Sequence, residues 1–161
     1  MRQVRGLDET VRHFLDRSLS VNVATSDRDG RPLVARAVAA RVSPGGERLT
    51  VLIDGRANAA LVAAVAETGR LAVVFTEPST HRSIQIKDDA ATMVAPTVEE
   101  AALPGPYIDG FIAELAGMGF TEAFVRAVME FDPSDLVALH LDPAAVFDQT
   151  PGPKAGERIP A

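Results

Sequence analysis

A chain of 161 residues, 47% hydrophobic and 24% charged, has the length and balance of one globular domain rather than of a disordered segment. Its longest unbroken apolar run, Ala59 to Ala66, is too short to span a bilayer, and the absence of cysteine excludes disulfides and thiolate sites. A net charge of −6 argues against broad affinity for nucleic acid, which needs a basic footprint. The N-terminus, Met-Arg-Gln-Val-Arg-Gly-Leu-Asp-Glu, lacks the apolar core of an export signal, so the expectation is a soluble cytoplasmic protein with no membrane partner.

In chain order, Leu7 to Ser18 predicts a helix, with Val11, Phe14, Leu15 and Leu19 at helical spacing and Asp8 and Glu9 at its start. Ser20–Ser26, Arg31–Val42 and Arg48–Asp54 predict three strands joined by turns at Asp27–Gly30 and Ser43–Gly46, an antiparallel meander. Asn58 to Thr68 predicts a helix apolar almost all round, hence buried, with Gly69 as its stop. Leu71–Thr76 is a fourth strand, and His81–Val94 a long fifth, bent near Asp88-Asp89. Thr97-Val98-Glu99-Glu100 is a capping box, and the helix it opens is expected to break at Pro104-Gly105-Pro106 and restart near Tyr107. A further helix is expected after Thr121, with Phe120 stapled onto Val125. Asp135–Leu141 is a last strand, and the Pro- and Gly-rich tail 148–161 is expected to be extended. This order predicts a single domain over 1–161: a small closed β-barrel of six antiparallel strands with flanking helices, an α+β fold with a helical insertion at about 97–131. Six strands leave little interior room, since roughly eight are needed before a ligand fits inside. A ligand is therefore expected outside the barrel or between two barrels.

Charge is unevenly placed. Nine bases and five acids lie from Arg28 to Lys87, then twelve acids and the single base Arg126 from Asp88 to Asp148. Arginine supplies 14 of the 16 basic groups and suits bidentate capture of phosphate or carboxylate. The three histidines, His13, His81 and His140, follow no metal-ligand spacing, and there is no nucleophile elbow, GxGxxG or Walker loop. Arg36 interrupts an apolar strand; a desolvated guanidinium needs an anionic partner, either an acid such as Asp54 or a ligand phosphate. Asp54-Gly55-Arg56-Ala57-Asn58 joins a strand to a helix, where the turn is either a plain cap or a phosphate cradle. In Arg82-Ser83-Ile84-Gln85-Ile86-Lys87, alternation puts Ile84 and Ile86 with Arg82 on one face. It puts Ser83, Gln85 and Lys87 on the other, which is either wet or suited to the edge of a heterocycle.

Taken in this order and spacing, Arg36-Ala37-Val38, Leu49 to Asp54, Gly55 to Leu61, Leu71 to Phe75 and Arg82 to Lys87 resemble the FMN-binding split barrel, and more closely the proteins grouped with pyridoxamine 5′-phosphate oxidase. The likeness covers roughly Leu7 to Ala95, and Val146 to Pro153 resembles an uncharacterised branch of the group. The resemblance implies a homodimer with FMN in clefts at the subunit interface. By position Arg36 matches the arginine that reaches the FMN phosphate, and Ala37 and Val38 beside it and Ile53 on the following strand are also expected at the cofactor. Arg56 and Asn58 fall near a serine and a lysine that open the helix in the oxidase. Ser83 matches a glutamine facing the flavin ring, with Gln85 and Lys87 farther along that face. The oxidase's Arg- and His-bearing C-terminal segment has no counterpart, so vitamin B6 is not the expected substrate. The implied function is a flavin-dependent oxidoreductase acting on an unidentified small molecule. Alternatives are a flavin-binding carrier, sensor or interaction module without turnover, a deazaflavin protein, or a haem protein with His81 or His140 as axial ligand.

Overall fold

The computed structural model describes residues 6–160; the N-terminal stretch read for an export signal begins with 1–5, which lie outside the described residues. Helix α1 (Glu9–Leu15) is capped by the Asp8 carboxylate, which accepts the Thr10 N–H, and it buries Val11, Phe14 and Leu15. Strands β1 (Ser20–Ser26), β2 (Pro32–Arg36), β3 (Ala39–Val42) and β4 (Leu49–Asp54) precede α2 (Ala59–Thr68). Then come β5 (Leu71–Thr76), β6 (Ser83–Asp88) and β7 (Thr92–Val94), followed by α3 (Val98–Ala101), α4 (Pro104–Ala116) and α5 (Glu122–Val128). Strands β8 (Leu136–Leu141), β9 (Ala145–Asp148) and β10 (Arg158–Ile159) complete the described chain. No helix among these residues is long and apolar enough to cross a membrane.

The strands form two antiparallel sheets, β10-β9-β6-β5-β1-β2 and β3-β4-β8-β7. This corrects the expected closed barrel of six strands, since the strands divide into two sheets of six and four. Three stretches of chain bend and serve both sheets: β2 into β3, β6 into β7, and β8 into β9. At the first corner the Ala37 N–H is donated to Val21 in one sheet and the Val38 N–H to Leu52 in the other, each at 2.9 Å. The backbone there is satisfied while it changes partners. The buried Asp88 carboxylate joins the other two corners, accepting from the Ala90 N–H at 3.2 Å and the Asp142 N–H at 2.9 Å. The inner faces pack Val21, Val23, Val51, Val73, Phe75, Ile86 and Leu139, none more than 1% exposed, into one core.

The helices depart from expectation in three places. Helix α2 buries only Leu61, Ala64 and Val65; Ala59, Ala60, Ala63 and Ala66 face solvent, because alanine serves helix propensity as readily as burial. Gly69 does end it, at φ +66°. Helix α4 restarts at Pro104 rather than near Tyr107, since a proline in the first turn surrenders only an N–H that has no helical partner. Phe120 stacks on Phe124, centroids 5.3 Å apart, while Val125 packs inward against α4. The tail, expected to be extended, folds back: Arg158 pairs with Phe147 and Ile159 with Val146.

Helix α4 is tied to the barrel through Tyr107, whose buried hydroxyl accepts the Leu19 N–H and donates to the Leu19 carbonyl, both at 3.0 Å. Burial pushes the phenol's pKa up, so it remains a donor at all ordinary pH. Tyr107→Phe strands the buried Leu19 carbonyl, while the Leu19 N–H keeps its second acceptor, the Arg17 carbonyl at 3.0 Å; the change is expected to cost about 1–3 kcal/mol, read as a lower urea midpoint at unchanged slope.

Candidate functional site

Directly opposed residues in a ladder point the same way. The pairings Arg36↔Asn22, Asn22↔Val74, Val74↔Gln85, Gln85↔Phe147 and Phe147↔Arg158 therefore draw one row across all six strands of the larger sheet. A second row runs Ser20, Thr76, Ser83, and a third Val34, Ala24, Ala72, Lys87, Ala145. Their neighbours Val21, Val23, Val73, Ile84 and Ile86 are core, so these rows form the outer face. They carry three cations, Arg36, Lys87 and Arg158, and no acid, on a chain with 22 acids. The face is otherwise small, apolar or neutral polar, and Val34 is 67% exposed.

Arg36, expected to be desolvated, lies exposed on this face. Its neighbours in sequence are apolar, but alternation sends Leu33, Ala35 and Ala37 inward and leaves Val34 and Arg36 outward. Its guanidinium donates to the Ser20 hydroxyl at 3.0 Å, not to Asp54, and has no carboxylate within 4 Å among the described residues. Ser83 is buried, its hydroxyl 2.9 Å from that of Thr76, and its N–H donates to Thr150. Gln85 accepts the Gln149 amide at 3.1 Å. The Lys87 ammonium sits 5.1 Å from the Phe147 ring centroid. Arg82, on the other face as expected, covers the Phe14 ring.

The remaining expected residues lie elsewhere. Ala37 and Val38 are buried at the corner with both N–H groups taken, and Ile53 is fully buried opposite Val137. Arg56 is 84% exposed and 3.9 Å from the Asp135 carboxylate. Asn58 opens α2 with no side-chain cap, its amide donating to the Asp54 carbonyl. The turn already holds an anion. The Asp54 carboxylate accepts the Ala57 N–H at 2.8 Å and the Asp132 N–H at 3.1 Å, and these bonds hold its pKa below the ordinary aspartate value. Arg36, Ser83, Gln85 and Lys87 thus share one face, while Arg56 and Asn58 sit among acids. Sequence reasoning missed Asn22, Val74, Phe147 and Arg158, which join the row only through long-range register. The Val21-Asn22-Val23 alternation was the one local sign that Asn22 points outward.

Beside Arg36 the face runs into a cleft of about 400 Å³. Its polar side is Ser20, Arg36, Thr76 and His81, and its apolar wall comes from α4 and α5, including Phe111, Leu115, Phe120 and Phe124. His81 holds φ +63°. His140 is on the other sheet, 2.8 Å from Glu100. No group of three or more metal-ligating side chains occurs among the described residues.

No protein-family model and no curated protein sequence matches the chain. Solved structures do. HupZ of Group A Streptococcus superposes with a TM-score of 0.56 at 11% identity, over 93% of this chain and 99% of that one. A pyridoxamine 5′-phosphate oxidase-related, FMN-binding protein of Nostoc punctiforme PCC 73102 gives 0.53 at 16%, over 96% and 98%. The fold is the split barrel of the pyridoxamine 5′-phosphate oxidase-like proteins. An F420 reductase shares this split barrel, at 0.52 and 18% identity over 87% and 98%.

Within the split barrel, Glu100 links α3 to the smaller sheet: one oxygen accepts the Thr97 N–H at 2.9 Å and the other meets His140. Burial pushes its carboxyl up, but the Thr97 and His140 contacts outweigh burial and hold it below the ordinary glutamate value. A lowered folded pKa contributes stability above the unfolded value and loses it as pH falls through the folded one. Parent protein should exceed Glu100→Gln by about 1–3 kcal/mol at pH 7, and by less at a pH below the ordinary glutamate value. Urea melts at the two pH values check this.

Proposed function

We propose that this chain binds FMN on the outer face of its six-stranded sheet and serves as a flavin-dependent oxidoreductase on a small molecule. The observation that carries this is the acid-free, cation-bearing face with Arg36 at its edge. Arg36 has no carboxylate partner among the described residues, is oriented by the Ser20 hydroxyl, and fits a phosphate. The turn at Arg56–Asn58 suits a phosphate less well, since the Asp54 carboxylate already takes its Ala57 N–H. Asn22 and Gln85 offer amide groups in the row beside Arg36, matched to the polar edge of a ring, and Val74 and Phe147 offer apolar contact. Bound flavin would supply the two-electron chemistry, so the protein needs to hold, orient and shield it rather than provide an acid–base pair.

The same face favours a homodimer. Val34, Phe120, Phe124, Met118 and Val128 are each 42–67% exposed, an apolar surface that a second copy would cover while excluding water from the cofactor. The likeness to an FMN-binding protein and to an F420 reductase supports a flavin or a deazaflavin on this fold. A second reading, haem binding, is favoured by one feature alone: His81 beside an apolar wall.

Arg36→Ala should weaken FMN binding by about 2–4 kcal/mol while leaving the fold intact. Quenching of flavin fluorescence on titration measures this, and equal affinity in the variant would remove Arg36 from the site. Bleaching of the bound flavin by a nicotinamide nucleotide separates an oxidoreductase from a carrier, and a Soret band on adding haemin would favour the second reading.

A further inference from the structure

The smaller sheet carries an arrangement that the cofactor proposal does not use. Across its four strands the register Arg41↔Thr50, Thr50↔His140, His140↔Thr92 sets a polar row on the outer face. Over one end of this row opens a cavity of about 660 Å³, walled by α1, the β3–β4 hairpin and α3. It shares no lining residue with the Arg36 cleft. Three arginines reach it, each from a different place: Arg12 from α1, Arg41 from β3 and Arg48 from the hairpin.

The acids of the lining are Asp16, Glu99 and Glu100. Glu100 is spent on Thr97 and His140, and Glu99 meets Arg41 at 2.8 Å. The other two arginines are undersatisfied. The Arg12 guanidinium donates to the Pro44 carbonyl, a neutral acceptor, and its Nε is the one buried side-chain nitrogen or oxygen without a hydrogen-bond partner among the described residues. Arg48 has only Asp142, 3.9 Å away, with no hydrogen bond from its guanidinium among the described residues. Within the lining, Arg12 and Arg48 face one carboxylate, Asp16, that has no partner among the described residues. Arg12 is also held in place. Gly46, at φ +77°, lets its stem lie against the hairpin, and a Cβ there would stand 2.8 Å from Arg12 Cδ.

We propose that this cavity is a second ligand site, independent of the cofactor face, which binds a phosphate monoester through Arg12 and Arg48. A tetrahedral oxyanion with three terminal oxygens suits guanidinium forks arriving from separate elements, whereas a carboxylate offers only two oxygens; the Ser43 hydroxyl of the same lining is already donated to Glu47. The preformed hold on Arg12 lowers the ordering cost of binding.

The test is calorimetric titration with inorganic phosphate and, separately, acetate, on the parent, Arg36→Ala, Arg12→Gln and Arg48→Gln. The proposal expects saturable phosphate binding that survives Arg36→Ala and weakens about tenfold in Arg12→Gln and Arg48→Gln, with acetate weaker than phosphate. Arg48 is 60% exposed, so its variant keeps the test valid should Arg12→Gln fail to fold. Absence of saturable phosphate binding overturns the proposal. So does binding that is lost in Arg36→Ala but kept in Arg48→Gln, or acetate that binds as tightly as phosphate.

Discussion

The molecule depends on the handover of backbone hydrogen bonds at its corners. At Ala37-Val38 consecutive N–H groups are donated to different sheets, so the chain turns without leaving a buried amide unpaired. Small residues make the close passage possible: Ala35, Ala37, Ala39 and Ala40 are all buried there. Asp88 does the equivalent for the other two corners, its two oxygens accepting from Ala90 and Asp142. The two sheets are thereby held face to face over one apolar core, and their outer faces are left free for different work.

Each outer face has its own electrostatic character. The six-stranded face gathers Arg36, Lys87 and Arg158 with no acid in its rows, although the chain as a whole is acidic. The four-stranded face mixes charges, and most of its acids are paired within the protein. Helices α4 and α5 add an apolar wall next to Arg36, anchored to the barrel by Tyr107. An anion with an apolar or planar body meets complementary chemistry there, which general surface charge on this protein would not provide.

Much of this was legible in the sequence. Alternation in Ser83 to Lys87 assigned the faces of β6 correctly, and the Thr97–Glu100 capping box and the Gly69 stop are where the local code puts them. The corner at Ala37-Val38 was not legible, because it bends without glycine or proline and is defined by partners 16 and 14 residues away in Val21 and Leu52. Arg36 interrupts an apolar run and so reads as desolvated, whereas the strand's alternation leaves it exposed, with no carboxylate partner among the described residues. A sequence does not show that the Asp54 side chain folds back onto the turn that carries Arg56 and Asn58. The row from Arg36 to Arg158 needs five strand registers at once; β9 is a four-residue strand that no local pattern marks, and β10 lies in a tail whose Pro and Gly content suggests no pairing.

The most direct test of the central claim, that the six-stranded outer face holds the cofactor, is an amide NMR map of the protein titrated with FMN. The account predicts saturable shifts at Asn22, Arg36, Val74, Gln85 and Phe147, with the turn at Arg56–Asn58 undisturbed. Saturating FMN that moves none of that row, or that moves only the Arg56–Asn58 turn, would contradict it.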